Sequence, residues 1–330
     1  MAQILHTTLN AGRNVAAAGE TFQLDLPVNP LSVILLTFRA LNNVLTAVTS
    51  LADWMAKYTN INVRYRGASI VDGRLDDLMV AMLARSGWGF GRGQENNVND
   101  DTRSLTVAIL FGRKPYDEKE CFPATRRGDL ILSITAAADA GGLDNHSVQI
   151  ETIELLDATP ERFIKITETQ QAMAAAGQNN IALPIGNKLL GVLLRPFAFP
   201  TGAVRTSSFG EVSLELDNVE AIYSHTNWES LHGMLARRLP NNWTGLQHVH
   251  PYNAAAVATE YLTREGVADF ALHQQYGLLD FDPMGDGAFA LETKDVANLN
   301  LSIVSGTADV ANVSRVYPIE LVETGIAAGA

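Results

Sequence analysis

Leu26-Pro27-Val28, which opens an apolar run, occurs again in the second half of the chain as Leu183-Pro184-Ile185. Three more short matches follow in the same order: Met82-Leu83-Ala84-Arg85 with Met234-Leu235-Ala236-Arg237, Leu130-Ile131-Leu132-Ser133-Ile134 with Leu299-Asn300-Leu301-Ser302-Ile303, and Ile153-Glu154-Leu155 with Ile319-Glu320-Leu321. The offsets lie between 152 (234 − 82) and 169 (301 − 132) residues. Four matches in one order indicate a tandem duplication of a large unit, because solenoid repeats are far shorter.

The composition is that of a folded protein. The chain has 330 residues, of which 47% are hydrophobic and 18% charged, so two domains are expected. Its net charge of −12 argues against a protein that coats nucleic acid. The single cysteine, Cys121, excludes an internal disulfide and a CxxC motif. The apolar runs are too short to span a bilayer, and residues 1–19 do not have the pattern of a signal peptide.

Short runs with period-2 alternation predict an all-β protein. Val212, Leu214 and Leu216 alternate with polar residues, and Leu299, Leu301 and Ile303 do the same. Such runs, separated by Gly, Asn and Asp, are typical of sheets with one buried face. Without long helices between them, they favour antiparallel sandwiches over a parallel sheet.

Helices are predicted at matching places in the two copies. Leu75, Leu78, Met79 and Met82 form one helical stripe, which Gly87 follows as a stop signal. In the second copy Thr226-x-x-Glu229 is a capping box before the stripe Leu231, Leu235 and Leu239, with Pro240 at its end. Two further helices are predicted, over Val44–Tyr58 and Ala254–Thr263.

The predicted domains follow from the duplication. Residues 1–20 are small and polar and are interpreted as an N-terminal arm, followed by a first unit over 21–157. The segment 158–180, rich in Ala, Gln, Glu and Thr, is predicted to connect it to a second unit over 181–330.

Several motifs contain residue types that could bind a ligand or a metal ion. The stretch Gly87–Gly93 has the wrong glycine spacing and context for a nucleotide-binding loop and is interpreted as a flexible loop at a helix exit. His248-Val-His250 is the only closely spaced pair that a metal could share, and surface histidines are the alternative interpretation. The turn Asp280–Asp286 could hold calcium but lacks the ligand spacing of an EF-hand, which favours a solvated turn.

No catalytic, cofactor-binding or metal-binding residues are predicted from these motifs. The basic pairs Arg126-Arg127 and Arg237-Arg238 are interpreted as solvated or interface charges, and no nucleic-acid groove is expected. GxSxG and HExxH motifs do not occur in the sequence.

The paired Leu-Pro-Val/Ile, Met-Leu-Ala-Arg and Leu-x-Leu-Ser-Ile segments, with the compact size, resemble the double jelly-roll major capsid proteins of tailless icosahedral viruses, a lineage that includes membrane-containing bacteriophages and adenovirus. The resemblance covers residues 20–325. It implies two tandem eight-stranded antiparallel jelly-roll sandwiches, each with a flanking helix. It also implies homotrimers that form pseudo-hexagonal capsomers of a virion shell.

That resemblance further implies minor capsid or penton proteins as partners, a possible internal membrane beneath the shell, and synthesis in the host cytoplasm. No cofactor and no enzymatic activity are expected. Two alternatives use the same fold: a two-domain cupin-type metal enzyme built around His248 and His250, and a carbohydrate-binding protein. The candidate aromatic platforms of the latter are Trp88, Trp228 and Trp243, of which Trp228 lies at the start of a helix stripe and is expected in the core.

Overall fold

The structure is a computed structural model that describes residues 3–43, 51–88, 91–93, 100–139, 142–173, 177–197, 207–239, 275–306 and 309–327. The chain divides into two compact units. The first unit comprises residues 1–167 together with 322–330, and the second comprises residues 168–321.

Among the described residues, ten strands and three helices belong to the first unit. The strands are β1 (Gln3–Asn14), β2 (Glu20–Asp25), β3 (Leu31–Asn42), β4 (Tyr58–Tyr65), β5 (Ala68–Gly73), β6 (Gly91–Gly93), β7 (Thr102–Leu110), β8 (Leu130–Ala136), β9 (Leu143–Leu156) and β10 (Arg162–Ile166). The helices are α1 (Leu51–Lys57), α2 (Leu75–Ser86) and, at the end of the chain, α4 (Thr324–Ala327).

The strands of the first unit form two sheets. One has the order β1-β9-β3-β7-β6, and the other has the order β5-β4-β8-β2 with β10 beside β5. The pairs are antiparallel except that β10 runs parallel to β5. Leaving out the short β6 and the flanking β10, the chain visits the two sheets in the order of an eight-stranded jelly roll.

The second unit repeats this connectivity. Its strands are β11 (Thr169–Met173), β12 (Gln178–Ala182), β13 (Lys188–Arg195), β14 (Glu211–Leu216), β15 (Val219–Glu220), β16 (Thr226–Asn227), β17 (Gly277–Asp280), β18 (Leu299–Val304) and β19 (Asp309–Glu323), and its described helix is α3 (Trp228–Arg238). The sheet orders are β17-β13-β19-β11 and β12-β18-β14-β15, with β16 also on β14. Without β16 these are again eight strands in jelly-roll order, so the predicted double jelly roll is confirmed.

Alternating apolar residues form the core of each roll. In the second unit Val212 and Leu214 of β14 pack with Leu301 and Ile303 of β18, and Trp228 at the start of α3 is buried among them. The prediction that Trp228 belongs to the core is therefore confirmed. In the first unit Leu130, Leu132 and Ile134 of β8 are buried in the same manner.

The described helices lie where they were predicted, but some of their first and last residues differ from the prediction. Helix α2 ends as expected at Gly87, whose φ of 69° is left-handed and whose N–H bonds to the Leu83 carbonyl. The predicted capping box is wrong, because Thr226 lies in β16 and the N-cap is Asn227, which makes no side-chain cap bond. Tyr58 begins β4 instead of ending the first predicted helix, of which residues 51–57 are described. The prediction over Ala254–Thr263 lies outside the described residues.

Residues 3–14 form a strand instead of a loosely held arm. β1 pairs along its length with β9, from Gln3 opposite Leu156 to Asn14 opposite Ser147. Most of its side chains are exposed, so the sequence has no buried alternation that would reveal it. Its backbone bonds to β9 define it as a strand. The predicted connector 158–180 likewise contains β10, β11 and the start of β12.

Candidate functional site

Each roll has an equivalent corner between its second and third strands. In the first unit Asn29 Nδ2 donates to Glu154 Oε2 at 2.7 Å, and in the second Asn187 Nδ2 donates to Glu320 Oε2 at 2.8 Å. Both glutamates are buried and come from the repeated Ile-Glu-Leu segments. Within each unit, an asparagine that follows the Leu-Pro segment therefore contacts the Ile-Glu-Leu segment. The buried glutamate carboxylate accepts a hydrogen bond from the asparagine amide and stabilises the corner.

Backbone bonds of the corner are repeated as well. The Leu26 N–H bonds to the Leu130 carbonyl, and the Leu183 N–H bonds to the Leu299 carbonyl, each at 2.9 Å. The next strand begins with a two-way bridge in both copies, Leu31 with Phe122 and Leu189 with Leu291. Leu26 and Leu183 are buried at equivalent positions, whereas Val28 and Ile185, two residues further along, are exposed. The duplicated corners thus expose an aliphatic side chain at the same position in each unit.

An open groove of about 580 Å³ lies beside this corner in the first unit. Its walls come from β1, β2 and the corner itself, with one basic side chain: Leu9, Gln23, Leu24, Asp25, Leu26, Pro27, Val28 and Arg127. Arg126 and Arg127 are both exposed, as the sequence predicts for solvated charges. The groove is a shallow surface feature next to exposed apolar residues and has no cluster of catalytic groups.

A buried ion pair ties three connections of the first unit together. The Lys57 ammonium is fully buried and lies 2.6 Å from Asp139 Oδ1 and 2.9 Å from the Ala16 carbonyl. His146 lies next to it, with Nε2 3.9 Å from the same Asp139 oxygen. Burial lowers the pKa of His146, and the neighbouring Lys57 charge adds to that effect, while Asp139 opposes it. No local pattern in the sequence indicates this cluster, because Ala16, Lys57 and Asp139 belong to three separate connections, with Lys57 41 residues from Ala16 and 82 from Asp139.

The acidic turn Asp280–Asp286 is organised by an arginine. Arg238 donates to both carboxylate oxygens of Asp280 and to the Asp282 carbonyl, and the Asp282 carboxylate accepts the Gly287 N–H at 2.7 Å. Asp280 and Asp282 are both buried, so the expected solvated turn is wrong for these two residues. In the described part of the chain, no group of three or more His, Cys, Asp or Glu side chains is placed to hold a metal ion.

Some of the other residues that the sequence analysis singled out belong to the described part of the chain, and others do not. His248, His250 and Trp243 lie outside the described residues. Trp88 follows Gly87 and makes an edge contact with Tyr116, with ring centroids 6.4 Å apart. The stretch Gly87–Gly93 is a strand at its end, because β6 pairs with β7, and not a loop throughout. Arg237 is exposed, whereas Arg238 has the structural role just described.

The only cysteine is a core residue. Cys121 is buried, and burial with the nearby Asp117 and Glu118 charges raises the pKa of its thiol to about 12. At neutral pH the nucleophilic thiolate is therefore scarce. No helix among the described residues is long and apolar enough to cross a membrane.

These features define the chain as a double jelly-roll protein without a recognisable catalytic centre in its described part. No family model and no curated protein matches the sequence. Among solved structures, the atomic structure of Sulfolobus Turreted Icosahedral Virus contains a chain that matches with a TM-score of 0.65 and 15% identity, over 97% of this chain and 91% of that one.

Two further solved structures have the same fold. The major capsid protein P2 of bacteriophage PM2 matches with a TM-score of 0.59 and 14% identity, over 97% of both chains. The PBCV-1 virus capsid matches with a TM-score of 0.56 and 10% identity, over 97% of this chain and 94% of that one. The fold is therefore shared along nearly the whole chain, with little sequence in common.

Proposed function

We propose that this chain is a structural major capsid protein, present in a virion, and not an enzyme. The observation that supports this proposal is the double jelly roll itself, repeated down to the hydrogen bonds of one corner. Two of the structures that match it are named as the major capsid protein P2 of bacteriophage PM2 and the PBCV-1 virus capsid, and the match covers 97% and 94% of their chains.

In this proposal three chains form one capsomer. Two rolls per chain give six rolls in a trimer, which imitates a hexagon while keeping closed threefold symmetry. Such capsomers tile an icosahedral shell. The repeated corner supports this arrangement, because similar surfaces on the two units are what a pseudo-sixfold ring requires.

The partners follow from the same arrangement. The chain assembles with copies of itself, and then with minor capsid or penton proteins, after synthesis in the host cytoplasm. Its net charge of −12 favours a shell that does not wrap nucleic acid directly and agrees with an internal membrane beneath it.

Native mass tests this proposal. Light scattering on the purified chain of 35.7 kDa is expected to give about 107 kDa (3 × 35.7), and negative-stain images of that peak are expected to show a hexagonal outline. A stable monomer that contains stoichiometric metal would instead favour the metal enzyme built around His248 and His250.

A further inference from the structure

One side of the first unit is covered by β10, the strand that follows its jelly roll. β10 lies parallel to the sheet edge β5, with Ile166 opposite Val71. At its other end Arg162 is bridged to Glu120, in the connection between β7 and β8. Under this cover Val71 is 1% and Glu120 3% exposed. β10 therefore protects a sheet edge that would otherwise be free to pair with another chain.

The position of Val71 has a counterpart in the second unit. The β4–β5 hairpin turns through Arg66-Gly67 and the β14–β15 hairpin through Asp217-Asn218, and all four residues have positive φ. Counting from these equal turns, the fourth residue is Val71 in the first unit and Ile222 in the second. Val71 lies within β5, whereas Ile222 lies two residues beyond the end of β15 with a φ of 67°, so the two residues correspond in their distance from the turn.

The position of Glu120 also has a counterpart. Glu120 lies two residues before Phe122, which bridges to Leu31 at the start of β3. In the second unit Leu291 makes the same bridge, to Leu189, and the residue two before it is Phe289. Ile222 and Phe289 therefore mark the surface of the second unit that corresponds to the surface under β10.

This second surface is apolar and exposed. Ile222 is 65% and Phe289 63% exposed, and Val219 and Met284 nearby in sequence are 67% and 75% exposed. These are the four highest values among the large hydrophobic side chains of the described residues. In that described part β15 pairs with β14 alone, so its outer edge is open. An open edge beside exposed apolar side chains is typical of an interaction site.

The N-terminal half of β1 matches β10 in position. Thr324, directly after β19, donates its N–H to the Glu161 carbonyl at 2.8 Å, directly before β10. In the same way Leu156, at the end of β9, pairs with Gln3 at the start of β1. Residues 3–8 thus correspond to the segment that begins at residue 162. Ile4 is 61% and Leu5 39% exposed on this segment.

We propose that residues 3–8 of one copy of this chain lie along β15 in the second unit of a neighbouring copy and cover Ile222 and Phe289. The partner is a second copy, because the chain itself contains both halves of the contact. One half is the apolar segment 3–8, and the other is the open edge of the second unit, whose counterpart in the first unit is covered by β10. The contact joins two different surfaces, so repeating it closes a ring when the rotation permits. This inference rests on the proposed capsid function and assigns the contact between chains within the capsomer.

Disulfide trapping tests the contact directly. Ile4→Cys combined with Ile222→Cys is expected to give covalent dimers and trimers on a non-reducing denaturing gel after mild oxidation. Each single variant is expected to remain monomeric there, and the native Cys121 is buried. If the double variant assembles normally but forms no more covalent species than the single variants, the proposed contact is wrong.

Charge insertion gives a second test. Ile222→Arg and Phe289→Arg are each expected to convert the 107 kDa species (3 × 35.7) to the 35.7 kDa monomer. Val304→Arg, at an exposed apolar position outside this surface, is the control and is expected to leave assembly unchanged. Circular dichroism should show a folded chain for all three, since the side chains are exposed in the single copy.

The outcomes separate this contact from the function on which it rests. A wild-type trimer that survives both arginine substitutions overturns the contact and leaves the capsid proposal intact. A wild-type chain that is monomeric, with no larger particle in the images, overturns both. Should an arginine variant fail to fold, the disulfide experiment decides.

Discussion

The bond between Asn29 and Glu154 shows how one residue pair fixes a corner of the first roll. Glu154 is buried, and Asn29 donates to it at 2.7 Å. Removing the donor leaves a buried carboxylate with fewer partners, which costs about 1–3 kcal/mol. Asn29→Ala is therefore expected to lower the free energy of unfolding by that amount, as measured by urea denaturation. Asn187→Ala, at the repeated corner, should have a similar effect.

The exposed Gln23, on the neighbouring edge strand β2, provides the control for this pair. Gln23→Ala should change the stability by less than about 0.5 kcal/mol. If both asparagine variants were as stable as the Gln23 variant, the corner bond would contribute nothing measurable.

At the same scale, His146 makes stability depend on pH. Because burial lowers its pKa in the folded chain, the unfolded chain, with a pKa near 6.5, binds the proton at higher pH. The contribution of neutral His146 to the free energy of unfolding is therefore fully present above about pH 6.5. It decreases as the pH falls below that value, by at most about 1.4 kcal/mol per pH unit. The buried Lys57 nearby opposes a second positive charge, and Asp139 and Asp144 favour it.

Calorimetry between pH 7.5 and 5.5 measures this dependence. The melting temperature of the wild-type chain is expected to fall across this range, and His146→Gln should flatten the curve. Gln23→Ala, at an exposed position without a titratable group, should leave the slope as it is. An unchanged slope in the His146 variant would assign the acid sensitivity to other groups.

At the scale of elements, two glycines in or after helices should respond oppositely to the same substitution. Gly87 ends α2 with a φ of 69°, and Gly233 lies in the exposed middle of α3. An added Cβ meets no atom within 4 Å at either position, so backbone preference alone decides. Gly87→Ala is expected to cost about 1–2 kcal/mol, because an L-residue disfavours the left-handed conformation. Gly233→Ala is expected to stabilise by about 0.5–1 kcal/mol.

Thermal unfolding of the two variants checks this pair, and wild type serves as the common reference. A loss of stability in both variants would mean that the α3 position carries a constraint other than helix propensity.

The elements also show where sequence patterns are informative. The α2 stripe and the stop at Gly87 were predicted correctly because packing and backbone strain act locally there. The capping box was wrong because Thr226 is drawn into a bridge with Val212 of β14, a partner distant in sequence. β1 was missed because its stability comes from backbone pairing with β9, which leaves no trace in its exposed side chains. The Arg238–Asp280 pair was missed because its partners are 42 residues apart in the sequence.

At the scale of the molecule, duplication is what the sequence reveals best. Repeated short motifs predicted two copies of one unit, and the glutamates of the repeated Ile-Glu-Leu segments make equivalent bonds to Asn29 and Asn187. The surfaces that differ between the copies could not be predicted in this way. Whether Val71 or Ile222 is covered depends on β10, whose five residues have no distinctive pattern.

The net charge gives the last prediction. Each chain carries −12, so three chains in one capsomer repel one another, while the proposed contact through Ile222 and Phe289 is apolar. Salt shortens the Debye length from about 30 Å at 0.01 M to about 10 Å at 0.1 M and so weakens the repulsion. The trimer fraction, measured by analytical ultracentrifugation, is therefore expected to rise from 10 mM to 300 mM NaCl. Ile222→Arg should remain monomeric at both concentrations, because screening does not restore the apolar contact. Dissociation of the wild-type trimer by salt would show instead that ion pairs hold the chains together.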